Sequence, residues 1–332
     1  MTRNYFYPTL YSLIIATLAL FALSLTIGPA DISLWRSINA LFGPSDDLMT
    51  MVMRDIRLPR ALLGLIVGAS LGLSGAVLQG FLRNPLAEPG LIGVSASASL
   101  GAVIAIYTGL SAAFALALPL MALFSAFIAI IILLTISGRD SRTLTVILTG
   151  IAITSLAGAL TSLALNLSSN PFAAMEIIFW TMGSLTDRSM DHVWLVLPFA
   201  LIGWLLLGAT ARGLDALSLG PSAASSMGYD LKRLRNFAIF GTALSVGSAT
   251  AVSGAIGFIG LIVPHVLRPL VGNQPSRLLP VSALGGACLL LAADIGVRVI
   301  APERDLKLGV LTALIGAPFF IWLVWSHRGR TQ

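Results

Sequence analysis

A chain of 332 residues that is 57% hydrophobic and only 10% charged lies far from the roughly 25% charge of an ordinary soluble domain, which excludes a water-soluble globular enzyme. The formal net charge is +6, yet the basic residues are scattered between apolar runs and not gathered on one face, so a nucleic-acid partner is excluded as well. The single cysteine, Cys288, sits inside the apolar run ACLLLAA, gives no disulfide framework and reads as a small buried hydrophobe.

A membrane span needs about 20 apolar residues, and on that measure the sequence predicts ten. The first, 9–28, has a short polar start with Arg3. It is longer than a signal-peptide core and no A-x-A site follows, so it reads as a retained span. The second, 61–82, carries Gly64, Gly68, Gly72, Ala76 and Gly80 at every fourth position. In lipid, helices gain nothing from hydrophobic burial against one another, and close backbone approach at small residues supplies much of the packing energy. This helix therefore belongs inside a multi-helix bundle. It is preceded by Arg57-Leu58-Pro59-Arg60. It runs into Arg83-Asn84-Pro85-Leu86-Ala87-Glu88-Pro89, a polar, twice-broken segment that no spanning helix continues through.

Spans 91–110, 113–136, 143–165 and 193–211 follow. The longest inner loop, 212–235, reads RGLDALSLGPSAASSMGYDLKRLR, two short helix-compatible pieces around Gly220-Pro221 with a basic end, a pattern suited to docking a cytoplasmic protein. Residues 236–271 are one apolar stretch, about 54 Å long as a single helix but too short for two full spans and a turn. Spans 236–254 and 258–268 must share it, one of them short, with the break at Ser253-Gly254-Ala255-Ile256-Gly257. Spans 278–297 and 308–326 complete the set.

Ten spans place both termini on one side. With that side cytoplasmic the inner segments carry a net +8 and the outer ones −1, as the positive-inside rule demands. An offset of 179 residues aligns 67–85 with 246–264 at seven of nineteen positions, including Ser-Gly-Ala. Copies that begin five spans apart insert in opposite directions, the inverted-repeat pattern of transporters.

No nucleophile triad, metal-ligand cluster or close carboxylate pair appears. His192, His265 and His327 are isolated. Lys232 and Lys307, the only lysines, end no G-x-x-x-x-G-K loop, so any ATP is hydrolysed by another chain, and this chain is expected to bind no cofactor of its own. Arg57, Arg60 and Arg298 run against the positive-inside trend. They read either as snorkelling anchors or as a basic rim that docks an acidic partner outside the membrane. Asp294 is the one carboxylate near a span interior and reads as a helix-terminal cap or a partner for Arg298. A proton- or sodium-coupled carrier, the rival class, would show more ionisable residues in mid-span.

Over almost its whole length the chain resembles the FecCD-type permeases of ATP-binding-cassette importers for ferric siderophores, haem and cobalamin. The strings that carry the likeness are RLPR (57–60), GASLGLSGAVLQGFLRNPLAEPGLIGVS (68–95), FWTMGSL (179–185), SGAIGFIGLIVPHVLR (253–268), RLLPVSALGGA (277–287), LAADIGVR (291–298) and LGVLTALIGAPFFIWL (308–323). The resemblance implies an all-α, type II importer permease fold, one transmembrane domain over 1–332. It also implies a homodimer of ten-span subunits in the cytoplasmic membrane, with the path along its two-fold axis. Two cytoplasmic ATPase subunits would hold ATP and magnesium, and a periplasmic or lipid-anchored binding protein would deliver a ferric siderophore, or alternatively haem or cobalamin. By the same resemblance Arg57, Arg60 and Arg298 pair with glutamates of the binding protein. Asn84 and Leu86, with Thr143 and Leu144, form the cytoplasmic gate, and residues 214–235, among them Leu219, Gly220, Ala224, Met227 and Gly228, couple to the ATPase.

Two departures stand out. Gly220-Pro221-Ser222 lacks the acidic residue common at the start of the coupling segment, and Asn273-Gln274-Pro275-Ser276-Arg277 replaces an Asp-His-Arg, so that loop is expected to be bonded differently.

Overall fold

A bilayer offers no water to backbone N–H and C=O groups, so a chain this apolar satisfies them within helices. The computed structural model describes residues 5–28, 35, 39–40, 47–114, 116–138, 143–301 and 306–327; among them there is no β-strand. We number the helices α1 (Phe6–Thr26), α2 (Leu58–Phe81), α3 (Val94–Tyr107), α4 (Ala117–Ser137), α5 (Thr143–Leu167), α6 (Pro171–Thr181) and α7 (Met190–Ala209). They continue with α8 (Ala211–Ser218), α9 (Pro221–Ser226), α10 (Leu231–Ser253), α11 (Ile259–Leu267), α12 (Pro275–Ile300) and α13 (Leu308–His327). Every predicted span falls on a helix. Six helical runs among the described residues are long and apolar enough to cross a membrane by length and composition. Arg3, Arg139, Asp140, Arg142, Arg328 and Arg330, all counted in the charge asymmetry, lie outside the described residues.

Among the elements not anticipated, two bear on the fold. Residues 52–57 form a π-helical run that feeds α2. α6, eleven residues long, is too short to register as a span, but its start is signalled by Asn170-Pro171: the Asn170 side chain accepts from the Phe172 N–H at 3.0 Å and Pro171 fills a position where no donor is needed.

α2 is the central helix. In its most apolar window 89% of residues are buried, against 17% for α1. It runs antiparallel to α12, and the two backbones touch. An added Cβ at Gly72 would lie 2.0 Å from the Ser282 carbonyl oxygen, and one at Gly286 would lie 2.1 Å from that of Gly68. The predicted small-residue stripe thus packs α2 on α12 at Gly68 and Gly72, whereas Gly80 meets only Leu214 side-chain atoms at 3.5 Å. Interhelical hydrogen bonds add to this packing: Trp204 Nε1 donates to Ser70 Oγ at 3.0 Å, and Ser74 Oγ and Ser245 Oγ lie 2.9 Å apart.

The break between α10 and α11 falls where the sequence placed it. Gly254 adopts φ 69°, ψ −169°, a region essentially reserved for glycine, and α11 has only nine residues. The aligned triplet Ser74-Gly75-Ala76 behaves differently and stays buried within α2. Gly75 there is the seat of α11: a Cβ on it would lie 1.9 Å from the Gly260 carbonyl oxygen. The two Ser-Gly-Ala copies therefore use glycine for different ends, one for a backbone turn and one for a close approach.

Candidate functional site

Three places concentrate polar groups on this apolar scaffold. At one end of the bundle the last turn of α1 leaves carbonyls with no partner in their own helix. Arg57, at the entry to α2, is 4% exposed and donates to the carbonyls of Leu25 at 2.9 Å and Thr26 at 2.8 Å. Arg298, near the end of α12, donates to the carbonyls of Ser24 at 2.8 Å and Ile27 at 2.9 Å and to the Ser24 hydroxyl. Cations at the end of a helix also complement its dipole. Asp294, 1% exposed, accepts from Arg298 one turn away and from Arg60, whose Nε lies 2.9 and 3.1 Å from its two oxygens. A second Arg60 nitrogen reaches Oδ1 at 2.8 Å. The structure thus gathers Arg57, Arg60 and Arg298 and confirms Asp294 as the partner of Arg298. The bonds to the end of α1 were missed, because nothing in that apolar helix marks its carbonyls as acceptors for residues so distant in sequence.

The second place is the segment between α2 and α3. Arg83 leaves α2 with φ 51°. Asn84 Oδ1 then accepts from the Leu86 N–H at 2.9 Å, and its carbonyl accepts from Ala87 at 3.1 Å, so Asn84 and Leu86 share one tight turn. Glu88 Oε1 accepts from the N–H of Phe258 at 2.6 Å, and Pro89 packs on Gly260, where a Cβ would lie 2.6 Å from the proline ring. Further on, the Leu91 carbonyl lies against Gly150 of α5, where a Cβ would approach it to 2.0 Å. Leu144, six residues earlier on α5, is 63% exposed. The Thr143 side chain lies outside the described residues.

The third place is the helical hairpin of α8 and α9. Leu219 and Met227 are 70% and 58% exposed while Ala224 is fully buried, so the hairpin rests on Ala224 and presents the two larger side chains. Gly220 and Gly228 flank α9 with φ of 115° and 85°. Asp215 accepts from the Ser276 N–H at 2.9 Å and from Gln274 Nε2 at 3.2 Å, which is how the departing loop 273–277 is bonded. Asp230 caps α10, accepting from the N–H groups of Lys232 at 2.8 Å and Arg233 at 3.2 Å. Asp230→Ala is expected to cost about 1 kcal/mol of local stability, seen as faster amide exchange in the first turn of α10 with the rest of the bundle unchanged.

Helix-packed spans, broken segments that meet inside them and an exposed helical hairpin at a bundle edge together define a multi-pass membrane permease. The chain belongs to the FecCD transport family, whose profile matches residues 16–326, and it is a permease subunit of an ATP-binding-cassette importer. It is 37% identical to the hemin transport system permease protein HmuU of Yersinia pestis, over 95% of this chain and 96% of that protein. It is 39% identical to the vitamin B12 import system permease protein BtuC of Klebsiella pneumoniae, over 83% of each. A solved inward-facing ABC transporter of metal-chelate type matches the fold with a TM-score of 0.85 and 33% identity, over 96% of this chain and 98% of that one.

Proposed function

We propose that this chain forms, as a homodimer, the pathway by which an importer moves an iron chelate, a ferric siderophore foremost, across the cytoplasmic membrane. Two ATPase subunits would act on its inner side and a binding protein on its outer side. The observation that carries the transport reading is the contact of two broken segments inside the bundle, 83–93 and 254–258, through Glu88 and Phe258. Irregular backbone at membrane depth is tolerated where it is buried in protein or lines a cavity. Iron is favoured by likeness to a hemin permease and to a metal-chelate transporter; haem and cobalamin are the alternatives within the family.

The charge asymmetry supports cytoplasmic termini. Arg57, Arg60 and Arg298 lie together at this end of the bundle, and such a group of guanidinium side chains suits an acidic docking partner, with register and encounter rate the main gains. Leu219 and Met227 supply an apolar surface, flanked by Gly220 and Gly228 and seated on Ala224, for the ATPase. Asn84, Leu86, Thr143 and Leu144 would close the inner end of the path. Alternating access follows when ATP-driven approach of the two ATPase subunits rocks the permease halves, with no covalent chemistry and no bound cofactor in this chain. An ion-coupled carrier is disfavoured because Asp294 is occupied by two arginines.

Uptake of labelled ferric siderophore, haem and cobalamin into proteoliposomes that hold the permease, its ATPase and its binding protein tests this reading. Uptake of one ligand that requires ATP at the ATPase side is the expected result; uptake indifferent to ATP overturns it.

A further inference from the structure

We propose that the groove between α1 and α7 seats one acyl chain of an anionic phospholipid, whose phosphate is held at the mouth by Arg212 and Arg277. The site lies in the leaflet where α1 begins, and its occupancy can be read without any transported cargo.

The groove has a volume of about 480 Å³ and is lined by Leu65 and Leu73 of α2, Ala283 and Ala287 of α12, Thr17 of α1 and Trp204 of α7. α1 packs on α12 and α7 packs on α2, and small residues leave the space between them open: a Cβ added at Gly208, also in the lining, would meet no atom within 4 Å. From Ser276 at the mouth to Ala287 the lining follows α12 for about 16 Å at 1.5 Å per residue. That is close to one leaflet of a hydrocarbon core about 30 Å thick. Beyond Ser276, the two polar side chains of the lining are already used by the protein. Thr17 Oγ1 donates to the Leu13 carbonyl at 2.7 Å and Trp204 Nε1 donates to Ser70 Oγ at 3.0 Å, so the depth of the groove offers a ligand apolar contact alone.

The mouth is charged. Arg277 follows Ser276, and its guanidinium lies 5.7 Å from the centroid of the Phe6 ring at the start of α1. Arg212, exposed, follows the lining residue Ala211. It precedes Asp215 by three residues and so shares the side of α8 that Asp215 turns to the first turn of α12, where that carboxylate accepts from the Ser276 N–H and from Gln274. Asp215 is thus spent on the start of α12, whereas among the described residues neither Arg212 nor Arg277 belongs to an ion pair. Guanidinium groups take phosphate oxygens in pairs, and exposed Tyr5 and Tyr7 on either side of Phe6 mark the level of the headgroups. An apolar slot one leaflet deep beneath a basic lip matches an anionic phospholipid. A zwitterionic one would bring its own cation to the same arginines.

The test uses the purified full-length chain in phosphatidylcholine nanodiscs with a trace of phosphatidylglycerol that carries a photoreactive diazirine on one acyl chain. Cross-links are expected on peptides covering 204–211 and 276–287. Unlabelled phosphatidylglycerol is expected to displace them more effectively than phosphatidylcholine, by about fivefold for each arginine and so about 25-fold for the pair. Arg212→Gln combined with Arg277→Gln is expected to remove that preference. Gly208→Phe, whose side chain starts in open space, is expected to remove the cross-links on both peptides while both charges remain.

Equal displacement by the two lipids overturns the proposal. So do cross-links spread over all lipid-facing helices, as an annular belt gives, and cross-links on these two peptides that survive Gly208→Phe. Should Gly208→Phe fail to give monodisperse protein, the arginine variant decides: a preference for phosphatidylglycerol that persists without both guanidinium groups overturns the proposal, and its loss with the fold intact supports it.

Discussion

Asp294→Ala is expected to lower the stability of the detergent-solubilised protein by about 3–5 kcal/mol, among the largest effects of any single polar substitution in the chain. The carboxylate is 1% exposed and carries both Arg60 and Arg298. Removing it leaves two guanidinium groups side by side, short of a counter-charge, in a site with little water. Asp294→Asn keeps the volume and one acceptor and is expected to fall between alanine and wild type. Thermal unfolding followed by tryptophan fluorescence or by retention of monodisperse protein reads the order. A Asp294→Ala protein as stable as wild type would show that the cluster is solvated and structurally idle. The same geometry changes how the docking role proposed for Arg57, Arg60 and Arg298 should be probed. Exchanging Arg57 or Arg298 for glutamate sets a carboxylate against the carbonyls at the end of α1, so loss of docking is interpretable only beside a stability measurement on the same variant.

Gly72→Ala is expected to be a severely damaging one-carbon addition in α2, at about 3 kcal/mol or more. The new carbon would sit 2.0 Å from the Ser282 carbonyl oxygen, an obstacle made of backbone that no rotamer change removes. Gly80→Ala belongs to the same four-residue stripe but meets side-chain carbons of Leu214 at 3.5 Å, ordinary contact distance. It is expected to be neutral or slightly stabilising, since alanine is the better helix former. Expression of both variants and size-exclusion profiles in detergent decide between them. Equal behaviour would mean that α2 and α12 separate easily, contrary to the backbone contact described above.

Much of the scaffold was legible because it follows from solvent. A run of about 20 apolar residues is forced into a helix wherever lipid denies water to the backbone, and the shortage of chain between 236 and 271 forced a break, found at Gly254. α6 was not legible as a span, since eleven apolar residues satisfy no length criterion and only Asn170-Pro171 betrays its start. Pairings across long sequence distance were only partly readable. The link of Asp294 to Arg298 shows in a one-turn spacing. The bond of Glu88 to Phe258 does not, because it joins a side chain to a backbone N–H freed by a turn elsewhere, and a sequence carries no mark of which N–H will be left over. The small-residue stripe announced a packing face but not its partner. The tightest approach of all, at Gly75, lies off that stripe, because α11 crosses α2 on another side.

The clamp around Asp294 also bears on how the protein is made. Its parts are Ser24 to Ile27, Arg57, Arg60, Asp294 and Arg298, and the bonds that close it span 234 and 274 residues of sequence. Chains are synthesised from the N-terminus, so α1 enters the membrane with the carbonyls of Ser24 and Ile27, and later Arg60, awaiting partners that come only with α12. Insertion of the early helices is therefore provisional, and this end of the bundle is locked only once α12 has been delivered.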